Sequence, residues 1–204
     1  MNESPLLSRI LAGYDLRVVR HEHLRTSENR VVRIEADDGQ SYAVRIRRIL
    51  GDYRERIPSE LEVLRDYRAV ARGDIPAPLP ARDGRLHVEV AHEGVDYLGV
   101  VFRWVPGKHV GGQDLTCGHV AAMARSAADF HGFARGYAPS AGFDRPVYDE
   151  EWFFGPDSWR ASCPFLERLG PEQVDPLRSA DAAVESRLRQ QPRGAETFGL
   201  IHYD

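Results

Sequence analysis

Tyr42-Ala43-Val44-Arg45-Ile46-Arg47-Arg48 decides the fold, because its alternation is strict. Tyr42, Val44 and Ile46 fall on one face of an extended chain, and Ala43, Arg45 and Arg47 on the other, the two-residue period of a strand. Asp37-Asp38-Gly39-Gln40, just upstream, is a hairpin signal, since Asp and Gly tolerate the positive φ that tight turns need. Before it lie Val31, Val32 and Ile34, and earlier Leu16 and Val18, so residues 14 to 48 read as antiparallel strands.

A helix follows. Ile57, Leu61, Leu64 and Ala71 form an apolar stripe at helical spacing, with Pro58 in the first turn, where its missing N–H is no loss. The proline-rich stretch from Gly73 to Pro80 ends it. Leu86, Val88 and Val90 alternate as a strand, and Tyr97 to Val105 is a more continuous apolar strand, with the turn expected at Gly94 to Asp96. Pro106-Gly107 then breaks the pattern. Beyond it the chain reads as helical: a long helix capped by Asp114 or Thr116 and running to about Tyr137, and another from Pro171 to Gln190. Phe198 to Ile201 reads as a short strand entering a loop at His202. Strands first and helices later make an α+β protein, divided at 105/106 into a sheet-bearing part (1–105) and a mostly helical part (106–204).

Bulk properties narrow the function. The net charge of −4 does not give the basic footprint of a nucleic-acid binder. The longest apolar run, Tyr97 to Phe102, is far too short to span a bilayer, and no signal peptide precedes it, so a cytoplasmic protein is expected. Cys117 and Cys163 have neither disulfide-framework nor metal-ligand spacing. Lys108 is the only lysine, so a cation on a strand must be arginine.

Four sites follow one another in an order that suggests chemistry. Arg45 shares a strand face with Ala43. Glu60 falls at the edge of the apolar stripe when the helix is stepped at about 100° per residue, where a carboxylate needs a cationic partner. Arg45 is that partner, while Glu62 lies on the opposite face within reach of Arg65. Phe102-Arg103-Trp104, leading into Val105-Pro106-Gly107, makes a hinge whose backbone can hydrogen-bond the edge of a purine base. Leu200-Ile201-His202-Tyr203-Asp204 leads an apolar run into His-x-Asp, and an aspartate there can accept the proton of an attacking hydroxyl.

Together these motifs resemble the aminoglycoside phosphotransferase and choline kinase-like superfamily, in its bacterial branch that includes homoserine kinase-type enzymes. The matching stretches are Tyr42 to Ile46, Ser59 to Leu64, Ile75-Pro76-Ala77-Pro78, Trp104 to Gly107, Ala128-Asp129-Phe130-His131 and Gly199 to Asp204. The resemblance implies a protein-kinase-like two-lobe fold and transfer of the γ-phosphoryl group of ATP or GTP to a hydroxyl of a small molecule, with Mg2+. It implies that Arg45 contacts the nucleotide phosphates, Glu60 orients it, and the loop of Ser27, Glu28 and Asn29 covers the phosphates. Asp204 is the implied base, and His202 braces its loop. The family's metal ligands follow His-x-Asp, so they are expected beyond Asp204. On that ground the chain is expected to be a truncated, inactive piece that forms a homodimer through surface the missing part would cover. The competing reading is a non-catalytic module that binds nucleotide or metabolite without transfer.

Other features carry less. His131 lies in line with Val120, Ala124, Ala127 and Ala134 and reads as a core histidine. Trp152, Phe153, Phe154 and Trp159 read as a packed aromatic corner. Asp149, Glu150 and Glu151 form an acidic run that reads as solvated, though it has the charge to attract a cationic acceptor.

Overall fold

The structure is a computed structural model that describes residues 5–51, 53–108, 110–156, 158, 168–194, 196–197 and 199–201. These fall into two compact units, one up to Asp144 and the other Arg145–Ile201. The first unit holds α1 (Pro5–Leu11), β1 (Val18–Thr26), β2 (Arg30–Ala36), β3 (Ser41–Arg48), α2 (Tyr53–Val70), β4 (Val88–His92), β5 (Val95–Arg103) and α3 (Cys117–Arg135). The second holds α4 (Glu150–Phe154) and α5 (Pro171–Gln190). The expected α+β class is the observed one.

The five strands form one antiparallel sheet in the order β1-β2-β3-β5-β4. Alternation splits its side chains between two cores. Val32, Ile34 and Ala36 of β2, Tyr42, Val44 and Ile46 of β3 and Val101 of β5 pack with α1, through Leu6, Leu7, Ile10 and Leu11. On the other face Leu98, Val100 and Phe102 of β5, with Ala43, pack against Ile57, Leu61 and Leu64 of α2. The sheet is therefore covered on both faces, and Arg45 lies on the α2 face.

The β2–β3 turn is built as its residues suggest. Gly39 has φ of 75°, in the left-handed region. Asp38 accepts the Gln40 amide at 2.8 Å and the Tyr42 hydroxyl at 2.6 Å. Those bonds hold the Asp38 carboxyl below its ordinary pKa and raise the Tyr42 phenol.

Four boundaries differ from the sequence expectation. Helix α1 was not foreseen, although Leu6, Leu7, Ile10 and Leu11 are spaced as one helical stripe. Pro58 lies inside α2 rather than at its start, because α2 begins at Tyr53. The β4–β5 turn centres on Glu93 and Gly94, with φ of 52° and 76°, so β5 already begins at Val95 and ends at Arg103. Residues 199–201 are not in a strand. Helix α3 starts where Thr116 caps it, the Thr116 hydroxyl accepting the His119 amide at 3.3 Å. No described residue of α3, α4 or α5 is buried, so His131 is not a core histidine; Val120 and Met123 are exposed.

Two close approaches pin α1 to the sheet. The buried Tyr14 hydroxyl donates to the Gly99 carbonyl at 3.4 Å and accepts the Val101 amide at 3.3 Å. A side chain at Gly99 would collide with Ile10. Gly99→Ala is therefore expected to destabilise the protein by about 1–3 kcal/mol, the usual range for overpacking a tight core. Urea unfolding against the wild type measures it.

Candidate active site

Strand β3 carries the central group. Its register sets Arg45 opposite Val31 of β2 and Val100 of β5. Arg45 Nη1 lies 2.6 Å from Glu60 Oε1, a charge-assisted hydrogen bond in which the guanidinium donates. The Arg45 guanidinium also stands over the Phe102 ring, 5.2 Å from its centroid. The two side chains are only 21% and 26% exposed, so they are screened less than surface pairs. Arg45 Nη2 is buried and has no hydrogen-bond partner among the described residues.

Helix α2 puts Glu60 there for a geometric reason. At about 100° per residue, Glu60 falls between the stripe facing the sheet (Ile57, Leu61, Leu64) and the stripe of Val63 and Tyr67. All but Leu64 of these are buried. Tyr67 packs edge-on to Phe130 of α3 at 5.2 Å and against Phe133 at 5.1 Å. Glu60 thus sits in the seam between two packed stripes.

The loop of Ser27, Glu28 and Asn29 closes the β1–β2 hairpin, with the Ser27 amide donating to the Asn29 carbonyl at 3.0 Å. Glu28 Oε2 lies 3.2 Å from Arg47 Nη2, so the loop is tied to the same face of β3 that bears Arg45. The Arg47 side chain is only 17% exposed. Asn29 Oδ1 is buried and lacks a hydrogen-bond partner among the described residues.

The hinge is partly committed. The Arg103 amide donates to the Ala77 carbonyl at 2.9 Å and the Trp104 amide to the Ser41 carbonyl at 3.3 Å. These two hinge amides are therefore engaged within the fold. The guanidinium of Arg33 stacks on the Trp104 ring at 4.7 Å and donates to Ser41 Oγ at 3.1 Å. His202 and Asp204 lie outside the described residues.

Glu62 departs from expectation. Arg65 turns to Asp66, at 2.7 Å, and Glu62 is taken up by the segment after α3. Its Oε1 accepts the Tyr137 hydroxyl at 2.8 Å and the Ser140 amide at 2.9 Å, and its Oε2 accepts the Ser140 hydroxyl at 2.5 Å. The Tyr137 hydroxyl is also 3.3 Å from Asp66 Oδ2. The Ser140 bonds lead in holding Glu62 below its ordinary pKa; burial, then the Glu62 carboxylate, raises the Tyr137 phenol. Ser59, Glu62 and Asp66, three and four residues apart, form a polar stripe that could have signalled this contact.

The sequence profile of the phosphotransferase enzyme family (APH) matches residues 22–204. The chain belongs to that family. Among solved structures, a microcompartment-associated aminopropanol kinase is 25% identical, with a TM-score of 0.76 over 96% of this chain and 60% of that one. An amicoumacin kinase in complex with AMP-PNP, Ca2+ and Ami is 18% identical, with a TM-score of 0.74 over 98% of this chain and 57% of that one. The chain thus spans about three-fifths of the length of these solved kinases. Comparison with curated protein sequences gives no significant match.

Within this phosphotransferase family member, the second unit has its own charge arrangement. Asp149 caps α4 by accepting the Trp152 amide at 3.0 Å, and Arg193 lies 3.2 Å from Asp149 and 2.8 Å from Glu150. Arg193 thus offsets part of the charge of those two carboxylates. Tyr148 packs edge-on to Trp152 at 5.2 Å. No described helix is long and apolar enough to cross a membrane.

The Arg45–Glu60 pair should be measurable. A double-mutant cycle of Arg45→Met and Glu60→Gln, read by urea unfolding, is expected to give a favourable coupling of about 1–2 kcal/mol, above the usual value for exposed pairs. A coupling near zero would mean that the pair is not held in solution.

Proposed function

We propose that this chain carries the nucleotide-binding half of a small-molecule kinase, which moves the γ-phosphoryl group of ATP or GTP to a hydroxyl of a small metabolite or aminoglycoside-like acceptor. The observation that carries the reading is the 2.6 Å pairing of Arg45 with Glu60, with Nη2 left without an acceptor. Buried donors without acceptors are rare in folded proteins. A phosphate oxygen is the acceptor that this reading supplies. Arginine suits the task because its planar fork can serve a carboxylate with one nitrogen and a phosphate with another.

In this scheme the base lies on the α2 face of the sheet, against Ala43 and beside Phe102, Arg103 and Trp104. Since the Arg103 and Trp104 amides are engaged, the base edge is met by the remaining backbone groups of the hinge. The Ser27-Glu28-Asn29 loop covers the phosphates, and Arg47 anchors it through Glu28. The nucleotide-binding part ends near residue 105, and the helical part that follows carries the acceptor side. Asp204 accepts the proton of the attacking hydroxyl, and His202 braces its loop. Bound Mg2+ neutralises phosphate charge in chemistry of this kind. Among the described residues there is no cluster of three or more His, Cys, Asp or Glu able to hold a metal, and the roles given to Arg45, Glu60 and Asp204 do not pass through one.

In the full-length protein, Asp204→Asn is expected to lower turnover by about 10²–10⁴, the usual contribution of a positioned base, with little change in melting temperature. A coupled ADP- or GDP-release assay over hydroxylated amines and sugars measures it. Near-normal turnover would remove Asp204 from the mechanism.

A further inference from the structure

We propose that Tyr137 and Ser140 are positioning residues: by clamping Glu62 they fix the rotation of α2 that delivers Glu60 to Arg45. The inference deepens the nucleotide-site reading and rests on it for its meaning, but its geometry stands apart.

The clamp consists of the three hydrogen bonds that Tyr137 and Ser140 give to Glu62, with Asp66 sharing the Tyr137 hydroxyl. One turn earlier, the Asp144 amide donates to Oγ of buried Ser59 at 2.8 Å, and Arg56 Nε lies 3.8 Å from Asp144 Oδ2. The segment from Tyr137 to Asp144 therefore grips one stripe of α2 along nearly two turns. Glu60 lies about 160° around the helix from Glu62, on the far side of the axis. Rolling the helix by one residue's worth would carry Glu60 out of the seam and away from Arg45. The apolar contacts of Ile57, Leu61 and Leu64 oppose a roll that large, because it would expose them to water, but they define the helix angle less sharply over small rotations, since the hydrophobic effect is non-directional. Hydrogen bonds to a carboxylate are directional and resist it sharply.

A clamp that acts only as structural glue would weaken folding without touching the Arg45–Glu60 pair. The test is therefore the Arg45→Met and Glu60→Gln cycle, repeated in a Tyr137→Phe, Ser140→Ala background and read by urea unfolding. Tyr137→Phe keeps the ring, which packs on Phe133 at 5.1 Å. The coupling factor, expressed in the folding equilibrium constant, is expected to fall at least threefold in that background. Ser140→Thr, which keeps a hydroxyl, is expected to retain most of it. An unchanged coupling factor with all four variants equally destabilised would overturn the proposal. If the double background does not fold, Ser140→Ala alone, in an exposed segment, carries the same comparison. AMP-PNP titration of the wild-type chain runs beside it: no binding would defeat the nucleotide reading, while the cycle still decides the clamp.

Discussion

A carboxylate at the buried edge of a helix and an arginine at the centre of a sheet cannot each be left alone. Withdrawing an ionised group from water without a partner costs several kcal/mol, and much of that cost is recovered only when the two meet in good geometry. Arg45 and Glu60 meet at 2.6 Å, and the elements around them are arranged so that they can. The pair requires α2 to lie on one face of the sheet and not the other. It requires the strict alternation of β3, which sends Arg45 to that face while Tyr42, Val44 and Ile46 go to the other. It also requires that neither stripe flanking Glu60 be free to roll.

Two cores share the cost of this placement. The α1 core is apolar apart from the hydroxyls of Tyr42, which donates to Asp38, and of Tyr14, which bonds to β5 and so holds the central strands in place from behind. The α2 core is smaller and carries the charged pair at its margin. Stability thus comes mainly from the side of the sheet away from the cation, which leaves the α2 side able to hold a group whose donors are not all satisfied. This is the physical content of assigning the nucleotide to that face.

Much of this was legible in the sequence because it depends on period and charge. The β3 alternation, the Asp-Gly turn, the α2 stripe and the need of Glu60 for a cation are local facts. The helix from Pro171 to Gln190 was likewise found between its own boundaries. What escaped depends on partners far along the chain. Glu62 was matched with Arg65 because Arg65 is close in sequence, whereas its partners Tyr137 and Ser140 are more than seventy residues away. Nothing local revealed that the Glu28 loop would fold back on Arg47. The hinge amides looked available because the neighbour that takes the Arg103 amide, Ala77, lies in the proline-rich stretch after α2, where no strand pattern exists. Helix α1 was missed for a different reason: its apolar stripe is only seven residues long.

The central claim is that Arg45, held by Glu60, is a binding cation and not merely a structural one. Isothermal titration of AMP-PNP and GMP-PNP into the wild-type chain and into Arg45→Met tests it most directly. The account predicts binding of at least one nucleotide by the wild type and a loss of tenfold or more in Arg45→Met, about 1.4 kcal/mol or greater. Equal affinity in a folded Arg45→Met protein would contradict it.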